Sequence, residues 1–170
     1  MALTRRDLLR AGRKMSGLRP PWAVAEEAFL DRCSRCGDCV GACPERILAV
    51  GDGGFPIIGF AHGACTFCGD CAAACKPGAL ARHDGRALPL LAVTGAGCLS
   101  LQGTACRVCG EWCGEGAITF RLIIGGRAEP RVDGERCSGC GACVGRCPAS
   151  AITMHRHVGG QPREERAVCA

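Results

Sequence analysis

Sixteen of the seventeen cysteines in this chain fall into four groups of four, and cysteine thiolates are the ligands of iron–sulfur clusters. The first group is CSRCGDCVGACP, with Cys33, Cys36, Cys39 and Cys43. The second is CTFCGDCAAACKP, with Cys65, Cys68, Cys71 and Cys75, and the fourth is CSGCGACVGRCP, with Cys137, Cys140, Cys143 and Cys147. Each keeps the spacing C-x2-C-x2-C-x3-C, followed by Pro44, Pro77 or Pro148, which is the bacterial ferredoxin run. Close spacing lets one loop wrap three corners of a cubane, and small intervening residues keep backbone N–H groups near the cluster sulfurs. The fourth cysteine points elsewhere, and the proline keeps the local helix from absorbing it.

Other thiol chemistries fit less well. A disulfide scaffold does not normally repeat near-identical quartets, and no cleavable signal peptide is evident. Structural zinc prefers C-x2-C arms separated by a longer span. A radical enzyme built on S-adenosylmethionine would need C-x3-C-x2-C, an order absent here. The third group departs from the run. In CLSLQGTACRVCGEWC, Cys98, Cys106, Cys109 and Cys113 keep the last two spacings, but the first spacing has grown to seven residues. Gly103 stands where the cysteine belongs, and Gly114 replaces the proline. A longer loop can still return Cys98 to a cluster at modest closure cost, so a fourth cluster is expected beside the three regular ones. The competing reading is a degenerate repeat with a labile cluster or none.

The elements that hold these groups must be short. Quartets recur every thirty to forty residues or so, each followed by an apolar segment: ILAV at 47–50, GALA at 78–81, AITFRLII at 117–124 and AITM at 151–154. Bounded by glycines and charges, these read as short strands, and turns such as CVGACP suit one or two helical turns. The expected fold is α+β: two tandem dicluster ferredoxin-like modules, loop-rich, with short antiparallel hairpins and short helices. The expected division is a basic N-terminal arm at 1–28, a first module at 29–86, a second with the stretched motif at 87–158, and a polar tail at 159–170.

In such modules the fourth cysteine of one motif ligates the other cluster. Sequential pairing gives Cys33, Cys36, Cys39 with Cys75; Cys65, Cys68, Cys71 with Cys43; Cys98, Cys106, Cys109 with Cys147; and Cys137, Cys140, Cys143 with Cys113. A nested pairing, group one with four and two with three, uses the same sixteen ligands, and the nearly equal linkers do not discriminate. Sequential pairing is the expectation.

Composition agrees with a cofactor-stapled fold. The chain has 170 residues, 26 glycines, five Phe, two Trp and no Tyr, a thin core that needs metals or partners. Its longest apolar stretches, such as ALPLLAV at 87–93, are too short to span a bilayer. The formal charge of +5 counts every thiol as neutral. Four oxidised clusters at about −2 each would bring it to about −3, so the charge is no argument for nucleic acid. Catalysis is not expected: GDGG at 51–54 is a turn, no G-x-S-x-G occurs, and Asp38 and Asp70 read as turn caps or modulators of cluster potential. Cys169, in the tail, and His62, His83, His155 and His157 read as incidental or surface residues.

The N-terminus carries TRRDLLR, Thr4 to Arg10, which looks like a twin-arginine export signal. No apolar run follows; Arg13, Lys14, Arg19 and Pro20–Pro21 interrupt it, so a cytoplasmic location is expected. A sharper reading makes the arm a docking element, with Arg5, Arg6, Arg19 and Trp22 meeting a partner and RPPW as an extended aromatic anchor.

The basic start TRRDLLRAGRK, the LRPPW segment (Leu18 to Trp22), AFLDRCSRC and the order of two regular quartets, a stretched third and a regular fourth resemble the NapF family. These are ferredoxin-type proteins encoded with the periplasmic nitrate reductase. The resemblance covers nearly the whole chain. It implies a cytoplasmic iron–sulfur accessory protein. Its partner would be the precursor of the nitrate reductase catalytic subunit, which carries a molybdenum cofactor and its own 4Fe–4S cluster. The protein would aid assembly or reduction of that cluster before export. The alternative is an electron-transfer polyferredoxin serving redox enzymes.

Overall fold

A computed structural model describes residues 17–83, 87–125 and 127–157. Arg5, Arg6, Cys169 and the tail at 159–170 lie outside the described residues. Every regular element is short because the cysteine loops interrupt the chain before a helix or strand can extend. The first half holds α1 (Glu26–Arg32), α2 (Asp38–Gly41), β1 (Leu48–Val50), a single 3-10 turn (Asp52–Gly54), β2 (Pro56–Ile58) and α3 (Asp70–Ala73). The second holds β3 (Leu90–Thr94), α4 (Val108–Glu111), β4 (Ile118–Ile123), β5 (Arg127–Val132), α5 (Ala142–Arg146) and β6 (Ile152–Arg156).

The strands form three antiparallel pairs: β1 with β2, β3 with β6, and β4 with β5. The β1–β2 register sets Leu48 opposite Ile58, and β4–β5 sets Ile118 opposite Val132. β3 and β6 register from Leu90 opposite Arg156 to Thr94 opposite Ile152. Each half thus contributes one hairpin between its two cysteine groups, and β3–β6 closes the second module end to end.

In the first module the closing partner of the last segment is the N-terminal stretch. Ala23 bridges Leu80, the Ala81 amide donates to the Trp22 carbonyl at 2.9 Å, and the Val24 amide donates to Ala79 at 3.1 Å. Leu18 bridges Ile58, extending the β1–β2 pair. Two expectations change. The predicted strand at 78–81 is a lone bridge, because its partner Ala23 sits between a turn and α1 and offers no longer ladder. The arm predicted at 1–28 does not hold as a separate unit over its described part: residues 18–28 pack into the first module, and a boundary at 28 would cut α1.

Two cores result. Trp22, Phe29, Leu48, Phe55, Ile58, Leu80, Leu88 and Leu90 fill the first. Leu91, Ala92, Ala117, Ile118 and Ile152 fill the second. Phe29 and Leu88 have almost no exposed surface, and each such burial stabilises by roughly 1.5–3 kcal/mol. β3 lies between the cores, with Leu90 on one side and Leu91 on the other, as the two-residue period of a strand requires.

Candidate functional site

The sixteen cysteines converge on four centres, and the pairing is sequential. Site one brings Cys33, Cys36 and Cys39 together with Cys75, beside Phe29, Ala79 and Leu80. Site two joins Cys65, Cys68 and Cys71 to Cys43, beside Trp22 and Ile47. Site three joins Cys98, Cys106 and Cys109 to Cys147, beside Val108, Phe120 and Ile152. Site four joins Cys137, Cys140 and Cys143 to Cys113, beside Ala92, Ile118 and Met154. The stretched group gathers four cysteines as the regular ones do.

Local backbone geometry places these thiols. Between the first two cysteines, groups one, two and four each hold a residue in the left-handed region: Arg35 (φ 61°), Phe67 (φ 57°) and Gly139 (φ 79°). After the second cysteine comes a left-handed glycine, Gly37, Gly69 or Gly141, with φ of 82°, 88° and 76°. Left-handed residues in a tight loop turn successive N–H groups toward one concavity, which favours an anionic group there. The glycines, not Asp38 and Asp70, precede the helical turns, and neither aspartate makes a capping hydrogen bond. That corrects the capping role expected for them.

A second device follows the fourth cysteine of every group. Arg46, Gly78, Gly116 and Ser150, each three residues on, all have positive φ. The chain reverses there, and in groups two, three and four it aims an amide back at sulfur: Leu80 N–H to Cys75 Sγ, Ala117 N–H to Cys113 Sγ and Ala151 N–H to Cys147 Sγ, each at 3.3 Å. Hydrogen bonds of this kind favour the thiolate and raise the potential of a cluster it ligates.

Site three reaches its geometry by another route. Residues 95–104 form a compact turn: the Gly95 amide donates to Ala151 at 2.7 Å, Gln102 to Cys98 at 3.1 Å and Thr104 to Leu99 at 2.9 Å. Ser100, a buried polar side chain, donates its hydroxyl to the Ala128 carbonyl on β5 at 2.5 Å. The turn buries Cys98. Gly103, at φ 92°, belongs to this turn and faces Arg127. Arg107 stands where the other groups have the left-handed glycine, at φ −133° and ψ 12°. The sequence marked the longer loop; its anchor, Ser100, had no signal beyond being one polar residue in an apolar stretch.

Burial raises the most enclosed thiols. Cys39, Cys71 and Cys109 are pushed up to about 11, first by burial and then mainly by the charges of neighbouring thiols in the same site. Cys65 is also pushed up to about 11 by burial, and Cys143 to about 12. Such thiols stay protonated without metal and are poor nucleophiles; binding iron must expel their protons.

The donor set fits a cluster better than a single ion. Thiolates around one zinc must lie within about 4 Å of one another. Among the described residues no three Cys, His, Asp or Glu side chains meet closely enough to hold one ion. Four sulfurs spread around a hollow, with amides aimed at them, suit the wider frame of a 4Fe–4S cubane.

The proposed docking residues behave differently. Trp22 is 7% exposed and sits in the first core, with Arg82 stacked on it at 5.1 Å. The Arg19 side chain is 8% exposed and makes a 2.6 Å ion pair with Glu26. Its guanidinium lies 4.7 Å from the Phe29 ring centre. The Arg19 hydrogen bond, then its charge, holds the Glu26 carboxyl below the usual range. The described part of the anchor is therefore a structural strap, because a tryptophan beside an aromatic core is more stable buried than presented. The exposed tryptophan is Trp112, with Arg146 stacked on it at 3.9 Å. Of the histidines, His155 pairs with Thr153 on β6 at 2.9 Å.

Comparison with known proteins finds the dicluster pattern twice in the chain. The 4Fe-4S dicluster domain matches residues 32–79 and 104–151; the second match begins after Cys98, so that cysteine lies outside the matched residues. The chain is similar to the ferredoxin-type protein NapF of Haemophilus influenzae, 47% identical across 82% of this chain and 79% of that one. It is similar to NapF of Escherichia coli K12, 40% identical across 84% and 88%. It is also similar to the ferredoxin-type protein NapG of the same strain, 36% identical across 76% and 65%. No solved structure matches. No helix among the described residues is long and apolar enough to cross a membrane.

Proposed function

The chain belongs to the NapF family of ferredoxin-type proteins, and from that premise we propose that it is a four-cluster accessory protein of the periplasmic nitrate reductase. It binds the precursor of the catalytic subunit in the cytoplasm and supplies electrons or a cluster before export. It acts on a protein partner and has no catalytic centre of its own. The observation that carries the cluster number is the third centre: Cys98, Cys106, Cys109 and Cys147 line one pocket, as four cysteines do at each of the other sites. When bound, the clusters supply one-electron redox capacity. The residues of the chain supply thiolates, aim amides at them and keep water from the buried sulfurs.

The difference between site three and the others favours a maturation role over a plain carrier. A carrier needs all its clusters firmly held, at graded potentials. Site three lacks the left-handed glycine and is held instead by a turn that rests on Ser100, which suits a centre that gives up its contents. Interruption of the basic N-terminus by Arg13, Lys14, Arg19 and Pro20–Pro21 supports retention in the cytoplasm. The test is an anaerobic pull-down of the cluster-loaded protein against the catalytic-subunit precursor, beside a Cys109→Ala variant. Binding by the loaded protein, reduced in the variant, is expected. A loaded protein that ignores the precursor leaves the electron-carrier reading in its place.

A further inference from the structure

Within each module, short helical segments tie the two sites together. Cys39 belongs to site one and Cys43 to site two, four residues apart on and just beyond α2, and Cys71 and Cys75 repeat the exchange around α3. Cys109 and Cys113, then Cys143 and Cys147, do the same for sites three and four. At about 1.5 Å rise per residue, four residues span only ~6 Å.

Between modules, the contact runs through the ligand loops themselves. The Cys65 amide donates to the Cys140 carbonyl at 2.8 Å, joining the first cysteine of site two to the second cysteine of site four. Two glycines allow this approach. A Cβ on Gly141 would overlap the Phe60 ring, and one on Gly145 would lie 2.8 Å from the Phe60 carbonyl oxygen and 2.9 Å from that of Ala61. Phe60 is itself 5% exposed, fixed between the first core and α5. Glu26 and Arg156, 3.5 Å apart, tie the modules again at the far edge.

We propose that the two modules hold one linear array of sites in the order one, two, four, three, with the Cys65–Cys140 contact as its middle joint. This rests on the four-cluster reading above and goes beyond it. The protein is then one four-centre unit, not two independent dicluster ferredoxins. Sites one and three are the ends, and Phe60, Gly141 and Gly145 are positioning residues that hold sites two and four against each other.

The test is electron paramagnetic resonance of dithionite-reduced, cluster-loaded full chain, with iron counted in every sample. A variant carrying Cys36→Ser, Cys39→Ser, Cys106→Ser and Cys109→Ser keeps sites two and four. Its spectrum should be broadened by interaction between two reduced clusters. Gly145→Val added to that variant should keep its iron content and narrow that broadening, which a merely structural residue would not do. Two full clusters with a non-interacting spectrum in the first variant overturn the array while leaving the proposed function standing. A native chain in which site two or site four takes up no iron overturns both. If the quadruple variant fails to fold, Cys36→Ala with Cys106→Ala, one ligand removed from each end site, takes its place: two retained clusters without interaction overturn the array.

Discussion

The first and second modules enter their first cysteine groups by different routes. In the first, α1 leads in, with Phe29 buried beneath it and acidic Glu26 and Glu27 at its start, and Cys33 follows as the first ligand of a regular run. In the second, no helix stands among the described residues between α3 and the group. A turn carries Cys98 forward and is fixed to β5 by Ser100. One module uses the entry segment to fill its core, and the other uses it to deliver a ligand. The same four-thiol geometry is thus reached with backbone-encoded wrapping in three groups and with a tertiary anchor in one. A wrapped site depends on local φ values; an anchored site depends on a contact 28 residues away.

The largest effects that sharpen this contrast are on the ligands. Cys71→Ser and Cys98→Ser should each remove about four iron atoms per chain, read by iron assay and visible absorption. Gly103→Cys added to Cys98→Ser restores regular spacing, yet should not restore the iron, because position 103 lies in the left-handed region at φ 92° and faces Arg127. Recovery of full iron would mean that site three is wrapped like the others after all.

Next in size is the contrast of the two tryptophans. Trp22→Ala opens the first core and should cost about 3–5 kcal/mol by chemical denaturation. Trp112→Ala, at a position 49% exposed, should cost under ~1 kcal/mol. Equal losses would break the distinction between strap and surface. Ser100→Ala leaves the Ala128 carbonyl without its buried donor and should cost about 1–3 kcal/mol. It should also speed iron loss to a chelator from site three ahead of the other sites.

The smallest effect is one of pH on the metal-free chain. Folded Cys39, Cys65, Cys71 and Cys109 are pushed up to about 11, and Cys143 to about 12, from an ordinary value of 9. Below pH 9 both folded and unfolded chains keep these protons, and stability is unaffected by them. As pH rises from 9 toward 11–12 the unfolded chain loses protons first, so stability falls. Thermal melts of apoprotein should be flat in this respect up to pH 9 and decline above it. Iron uptake follows the opposite sign and rises with pH, since each ligand gives up a proton.

The sequence by itself determined which cysteines stand in groups. Cysteine spacing is local, and three thiols within seven residues have few ways to surround a cubane, so groups one, two and four could be read directly. The two dicluster modules were legible for the same reason, as were the strands that follow groups one, three and four. Tertiary structure decided what depends on distant partners. The linkers were nearly equal, so only packing could choose sequential over nested pairing. The β3–β6 pair joins segments that no local pattern connects, which is why ALPLLAV carried no strand expectation. RPPW carries aromatic and extended character that serves equally for docking or for burial, and the neighbouring Phe29 and Phe55 settled it for Trp22 and Arg19. The Cys65–Cys140 joint rests on two glycines whose use is visible only when Phe60 is set against them. Short-range covalent geometry fixes which atoms can bind metal, and long-range packing fixes which of those sites become neighbours.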